Sequence, residues 1–189
     1  MELSLLEVQR LLESNWPTDT LPEIMAYSQR DERWRNDLMM TVTIGGYGCA
    51  MTCCAMLASQ FDPNITPQTL NKFLRNNGGY TSDNRIYWSK VSELIPQLKY
   101  ETYVKWTYTP ADVDFVLSEI DKQPVILQVD FKPQTVYPDM HFVLAIAHNT
   151  SDIEIIDPWD GSKTKLLERY ALDNWDLKRA IYSIVIYEH

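Results

Sequence analysis

The sequence offers a cysteine in a setting suited to nucleophilic chemistry. Cys49 follows a stretch that holds Gly45, Gly46 and Gly48, and it opens a run of apolar residues. Glycines permit a tight turn and close approach of the backbone, and the N-terminus of a helix stabilises a thiolate through its unpaired N–H groups. We therefore predict that Cys49 is a reactive thiol at the first turn of a helix.

The other two cysteines, Cys53 and Cys54, lie close behind Cys49. Free cysteines are most often buried packing residues, and we expect that role for both. Three thiols on one helix match neither the paired spacing of structural zinc sites nor a loop-closing disulfide framework. The sequence therefore predicts free thiols and no metal or cofactor, which favours a reducing compartment.

A thiol nucleophile needs a base, and the chain has three histidines. His189 is the terminal residue and is expected to be exposed or disordered. His141 begins a strand-like run, and His148 lies seven residues further along it. Because strand side chains alternate, this odd offset predicts that the two histidines face opposite sides of the sheet. We predict that His141 faces Cys49 as the base and that His148 is a surface residue.

An acid that would orient the imidazole follows in Asp157, just before a proline. A simple hairpin pairs residue 148 with residue 153. That register puts Asp157 opposite residue 144, on the wrong face for His141. A triad then requires a β-bulge, or an aspartate that has already left the strand. The alternative is an ordinary turn-capping aspartate.

Gln29 lies upstream of the candidate nucleophile. A lone glutamine carries little information by itself. Its side-chain amide could, however, donate to an oxyanion that forms beside the backbone N–H of Cys49. We predict this role for Gln29.

The elements that must position these residues are helices in the first half and strands in the second, which predicts one α+β domain. The predicted helices cover residues 1–15, 49–60, 67–76, 86–94 and 110–121. The predicted strands cover residues 100–108, 125–129, 141–148, 153–156 and 181–187.

Net charge and the distribution of apolar residues indicate which classes of binding partner to expect. The 17 basic and 26 acidic residues give a net charge of −9, which argues against binding along a nucleic-acid backbone. No apolar stretch approaches the roughly twenty residues that span a bilayer, and the N-terminus lacks the features of a signal peptide. We expect a protein that is cytoplasmic as synthesised, although a phage-type or holin-type export route would need no leader.

The combination resembles the cysteine peptidase family 39-like domains, relatives of the bacteriocin-leader-processing peptidases in the papain-like superfamily. The resemblance covers residues 26 to 187 or so. The similar segments are Tyr27-Ser28-Gln29-Arg30-Asp31 with Trp34, Thr43 to Thr52 with Ala55-Met56-Leu57, Gly78-Gly79-Tyr80 with Tyr87-Trp88, His141-Phe142-Val143-Leu144, and Asp157-Pro158-Trp159-Asp160-Gly161.

This resemblance implies a papain-like cysteine peptidase fold, in which a helical lobe with a central nucleophile helix packs on an antiparallel β-sheet lobe. It implies that Cys49 attacks a peptide carbonyl, that His141 is base and acid, that Asp157 orients it, and that Gln29 lines the oxyanion hole. The expected domain is 26–189, preceded by a helical extension at 1–25 that either docks on the surface or shields the cleft as a pro-segment.

Alternatives remain open within the resemblance. Stand-alone domains of this kind occur in bacteria and phage, and without transporter domains a leader-peptidase role coupled to export does not carry over. A peptidoglycan-peptide hydrolase or a transamidase would use the same residues. A catalytically idle binding or virion-associated protein could keep the fold. The aromatics Tyr80, Tyr87, Trp88 and Trp159 are expected to serve the core, with Trp159 the best candidate to line a substrate groove.

Overall fold

The computed structural model describes residues 23–106 and 109–188. The helix predicted at residues 1–15, its interpretation as a pro-segment, and His189 therefore lie outside the described residues. Residues 107–108, at the end of the strand predicted at 100–108, lie outside them as well.

Four helices occupy the first half of the described chain: α1 (Ile44–Tyr47), α2 (Cys49–Ser59), α3 (Pro67–Asn76) and α4 (Ser89–Leu94). Residues 51–59 of α2 are all buried, as expected of a helix that is apolar on every side. Thr66 caps α3 by accepting from the backbone N–H of Thr69, whose hydroxyl in turn accepts from the N–H of Thr66. Pro67 then supplies a first helical residue that needs no N–H partner.

The second half forms a six-stranded antiparallel sheet with the order β1-β6-β2-β3-β4-β5. Its strands are β1 (Lys99–Lys105), β2 (Val125–Asp130), β3 (Met140–His148), β4 (Ile153–Asp157), β5 (Ser162–Lys165) and β6 (Ser183–Glu188). Three further helices connect them: α5 (Val113–Ile120), α6 (Leu166–Tyr170) and α7 (Leu177–Ala180). The predicted mixture of helices and antiparallel strands is confirmed, while β5, α6 and α7 were not predicted.

Each face of the sheet is covered by its own apolar cluster. Helix α2 packs on one face, where Ile126, Leu144, Ile156 and Val185 lie. The opposite face carries alternate residues of the same strands, packed with α5, α6 and α7. The members of this second cluster include Val116, Leu127, Val129, Val143, Ala145, Ile153, Ile155, Leu166, Tyr170, Leu177 and Ile184. The central strands are thus buried on both faces.

A β-bulge between β3 and β4 decides which side chains share a face. His148 pairs with Ile153, as a simple hairpin requires, but the register shifts between Ala145 and Ala147. The extra residue in β3 moves Asp157 onto the face of His141. The bulge that the triad hypothesis required is therefore present.

The same bulge contradicts the prediction that His141 and His148 face opposite sides of the sheet. Residues directly opposite one another share a face, so His148 lies on the face of Ile153, which is also the face of Val143 and His141. Distance along the strand separates the histidines instead. Seven residues of β3 span about 23 Å, which places His148 at the far end from His141.

Within the described part of the chain, every helix is too short or too polar to cross a lipid bilayer.

Candidate active site

The candidate nucleophile stands at the first position of α2. Gly48 precedes it, and a Cβ at that position would lie 2.6 Å from the carbonyl oxygen of Ile44. A Cβ on Gly45 would lie 2.8 Å from the carbonyl oxygen of Arg35. Glycine is needed at both positions because the backbone packs closely there. This is the close approach predicted for the turn before Cys49.

The structure brings His141 and Asp157 together beside Cys49. Nε2 of His141 lies 2.8 Å from Oδ1 of Asp157, and both side chains are buried. The Cys49 thiol lies next to the same imidazole, and each of the two groups shifts the pKa of the other. It also approaches the backbone N–H groups of Ala50 and Phe142. A thiol, an imidazole and a carboxylate thus form a continuous chain.

The surroundings favour a charged form of this chain. Burial acts to raise the pKa of Cys49, but the hydrogen bond and positive charge of His141, with two backbone N–H groups, lower it overall. Burial acts to lower the pKa of His141, but its bonds to Asp157 and Cys49 raise it to about 9. Each shift stabilises a thiolate beside an imidazolium.

Asp157 is held by two residues that the sequence interpretation missed. Its Oδ2 accepts from the Tyr170 hydroxyl and lies 2.7 Å from Nε of Arg169. Its Oδ1 also accepts from the backbone N–H of Trp159 at 2.9 Å. Burial acts to raise the pKa of Asp157, but its hydrogen bonds, led by that to His141, lower it overall. A buried carboxylate requires such donors, yet no pattern in the sequence indicates which residues supply them.

Aromatic rings enclose the imidazole. The Phe131 ring lies 5.0 Å from the His141 ring and 4.9 Å from the Trp159 ring, centre to centre. Tyr170 lies 5.6 Å from His141. Water is kept from the His141–Asp157 hydrogen bond, which strengthens the electrostatic interaction between the two groups.

Gln29 is buried at the edge of the same site. Its Nε2 donates to the carbonyl oxygen of Gly45 at 3.1 Å, which leaves its second amide N–H available. Oε1 has no hydrogen-bond partner in the described chain. The backbone N–H of Cys49 likewise has no acceptor among residues 23–106 and 109–188. Two donors beside the thiol are therefore uncommitted.

The segment that carries Gln29 docks on the turn that follows β4. The backbone N–H of Gln29 donates to the carbonyl oxygen of Pro158 at 2.6 Å, and the Ser28 hydroxyl donates to that of Trp159 at 3.1 Å. Gly161 has a φ of +78°, and a Cβ there would lie 3.3 Å from the Ser28 nitrogen. These contacts fix Gln29 relative to the histidine–aspartate pair.

The site opens into a cleft of about 1240 Å³. Gln29, Cys49 and His141 line it, whereas His148 does not. The aromatic residues that line it are Tyr47, Tyr87, Trp88, Tyr103, Phe131, Phe142, Trp159 and Tyr182. Trp159, the best candidate among the aromatics expected in the core, lines the cleft. Tyr87 and Trp88 line it as well, and Trp88 also packs against the core. Tyr80 is buried, and its hydroxyl donates to Asn71.

The comparisons place this architecture in a known class. The family model of the Peptidase C39-like family matches residues 22–181, so the chain belongs to that family of peptidases. This confirms the resemblance drawn from the sequence.

One solved structure adds to the comparison. It is a crystal structure from Bacillus anthracis, assigned as a C39-like peptidase, with 15% sequence identity and a TM-score of 0.44. The match covers 74% of this chain and 88% of that one. No curated protein matches the sequence.

Proposed function

We propose that the protein is a papain-like cysteine peptidase that cleaves an amide bond through an acyl-enzyme, with Cys49 as nucleophile. The observation that carries the proposal is the buried His141–Asp157 hydrogen bond, joined to the Cys49 thiol at the start of α2. Membership of a peptidase family supports it. The proposed catalytic domain is 26–189.

The proposed reaction begins with attack of the Cys49 thiolate on the substrate carbonyl carbon. His141 holds the proton as imidazolium and delivers it to the departing amine when the C–N bond breaks. Water then attacks the thioester carbonyl carbon, and His141 accepts the proton of that water. The C–S bond breaks, which releases the acyl half as a carboxylic acid and restores the Cys49 thiolate beside the imidazolium. Asp157 keeps the imidazole oriented and stabilises its positive charge.

The negative oxygen of each tetrahedral intermediate needs donors. The free N–H of Cys49 and the second amide N–H of Gln29 are suited to this task, since neither has another acceptor among the described residues. Fixed donors in a dry site cost no reorganisation during the reaction. We assign both to the oxyanion hole.

Selective alkylation tests the nucleophile. Burial raises the pKa of Cys54 to about 12 and the pKa of Cys53 well above its usual value. Brief iodoacetamide treatment near neutral pH should therefore modify Cys49 well before Cys53 or Cys54, as read by mass spectrometry. Equal labelling of the three thiols would contradict the assignment.

Cleavage itself is tested with a random peptide library. New peptide termini should form with the wild-type protein and not with Cys49→Ala. Selective labelling of Cys49 without cleavage of any peptide would point to the idle binding role. Cleavage restricted to isolated peptidoglycan stem peptides, or transfer to an added amine in place of water, would identify the peptidoglycan hydrolase or the transamidase.

A further inference from the structure

A straight row of residues leads across the sheet from the nucleophile. Phe142, whose backbone N–H approaches the Cys49 sulfur, pairs with Gln128 on β2. Gln128 pairs with Ser183 on β6, and Ser183 pairs with Lys105 on β1. Directly opposite residues share a face, so these side chains stand on the α2 side of the sheet. Phe142, Gln128 and Lys105 all line the cleft.

The row also sets the distance between the nucleophile end, at Phe142, and Lys105. Neighbouring strands are about 4.8 Å apart, so the three steps from Phe142 to Lys105 cover about 14 Å. An extended peptide advances about 3.4 Å per residue and would cover the same distance in about four residues. Lys105 therefore lies at a defined number of residues from the reacting carbonyl.

Lys105 differs from the other cations of the cleft. Arg85 is paired with Asp83 at 2.9 Å, and Lys132 is paired with Asp139 at 3.0 Å. Lys105 has no carboxylate within 4.0 Å in the described chain, and its Nζ lies 4.6 Å from the centre of the Tyr103 ring. Its charge is held over an aromatic face and is free to bind an anion.

Gln128 provides a polar floor between Cys49 and Lys105. Its Oε1 accepts from the Ser183 hydroxyl at 3.0 Å and from the Tyr103 hydroxyl at 3.5 Å. With the oxygen so occupied, the amide nitrogen is left to donate. A peptide carbonyl that crosses the row could accept from it.

The side of the scissile bond follows from the position of His141. The imidazole lies towards Phe131 and Trp159, and it must protonate the departing amine. The leaving half of the substrate therefore lies on that side. The acyl half extends the other way, towards Trp88, Tyr103 and Lys105.

We propose that Lys105 forms a specificity site for an acidic side chain about four residues before the scissile bond. The proposal rests on the proposed peptidase function and adds its substrate class, a peptide with an aspartate or glutamate at that position. The carboxylate cannot be a chain terminus, because the C-terminus of a substrate lies on the leaving side.

Peptidyl vinyl sulfones provide the test, because they alkylate a catalytic thiol without requiring turnover. The probe is acetyl-penta-alanyl vinyl sulfone, with glutamate placed at each position in turn and glutamine at the same position as the neutral match. The rate of Cys49 modification is measured by mass spectrometry. The proteins are the wild type, Lys105→Gln, Lys105→Glu and the control Lys132→Gln, which removes a paired cation.

We expect glutamate at the fourth or fifth residue, counted back from the vinyl sulfone, to react about fivefold faster than glutamine, as befits a solvent-accessible ion pair. Lys105→Gln should remove this ratio, Lys105→Glu should reverse it in favour of the glutamine probe, and Lys132→Gln should preserve it. An unchanged ratio in Lys105→Gln, or no acidic preference at any position, would overturn the inference alone. Failure of Cys49 to react even with the all-alanine probe and iodoacetamide would overturn the proposed function beneath it.

Discussion

Strand β3 carries a histidine near each end, and each histidine is paired with an aspartate from another element at nearly the same distance. His141 Nε2 lies 2.8 Å from Asp157, and His148 Nε2 lies 2.9 Å from Asp121. The bulge also places both histidines on one face of the sheet. Neither the His–Asp distance nor the face of the sheet therefore distinguishes the two pairs.

Burial and further partners distinguish them. The side chains of His141 and Asp157 are 6% and 0% exposed, whereas those of His148 and Asp121 are 20% and 71% exposed. His148 completes its bonds with the carbonyl oxygen of Asn149, while His141 meets a thiol. Charges that are kept from water interact far more strongly than exposed ones. Of the two pairs, the first is the one that is both buried and next to a thiol.

The sharpest test of this comparison replaces each histidine. His141→Ala should lower kcat/KM for a cleaved library peptide on the order of ten-thousandfold, since base and acid are both lost. His148→Ala should change it less than about twofold, as expected of a surface residue. Comparable losses in both variants would mean that the two pairs are functionally alike.

Replacing Asp157 and Asp121 tests the aspartate partner of each histidine. Asp157→Asn should keep the fold and slow turnover on the order of a thousandfold, because the imidazole remains but loses the charge that orients it. Asp121→Asn should leave kcat/KM unchanged, since exposed ion pairs contribute little. Circular dichroism checks the fold of each variant. A fully active Asp157→Asn protein would remove Asp157 from the mechanism.

The four candidate residues could be named from the sequence, but the reason why His141 and Asp157 meet could not. A strictly alternating strand places Asp157 away from His141, and nothing in the run from His141 to His148 indicates where the extra residue lies. Bulge position follows from how both strands pack on their neighbours, which is a tertiary property. For this reason the requirement for a bulge was predictable and the common face of the histidines was not.

The residues that hold Asp157, Arg169 and Tyr170, could not be predicted from the sequence for a different reason. Arg169 and Tyr170 belong to α6, a five-residue helix too short to show a clear helical period. Tyr170 is buried because it covers Asp157, so its role exists only once the fold has formed. The long apolar elements α2 and β3, by contrast, were predicted to within about a residue of their bounds.

Gln29→Ala tests the proposed oxyanion-hole donor that lies beside the His141–Asp157 pair. Its amide acts on an oxygen that is charged only during reaction, so kcat should fall about a hundredfold with little change in KM. Gln68→Ala is a control: that glutamine on α3 bonds Asp37 and the Arg33 carbonyl. A change in KM alone would assign Gln29 to substrate binding.

The pH profile of kcat/KM tests which histidine–aspartate pair controls activity, because activity should depend on the charge of one imidazole. The reactive form needs the Cys49 thiolate and the His141 imidazolium, whose pKa is raised to about 9. Activity should hold through neutral pH and fall about tenfold per pH unit above 9 as the imidazolium is lost. Asp157→Asn should move this fall to lower pH, and Asp121→Asn should not. A fall centred near pH 6.5 would place the titration on an unperturbed histidine.

Tyr170→Phe has the smallest expected effect and the most specific one. It deletes one hydroxyl that donates to Asp157, while Arg169 still holds the same oxygen. We expect kcat/KM to fall about fivefold and the free energy of unfolding to fall by about 1.5–3 kcal/mol, the range for a hydrogen bond to a charged group. Tyr100→Phe, on β1 and apart from this network, is the control.

A merely structural tyrosine would lower stability and leave the pH profile alone. If Tyr170 positions Asp157, its loss lets the carboxylate rotate and weakens its bond to His141. The alkaline limb of kcat/KM should then shift to lower pH, in the direction of the Asp157→Asn variant but by less. An unchanged limb with reduced stability would restrict Tyr170 to packing. The burial of the pair, and not its hydrogen-bond network, would then account for its difference from His148 and Asp121.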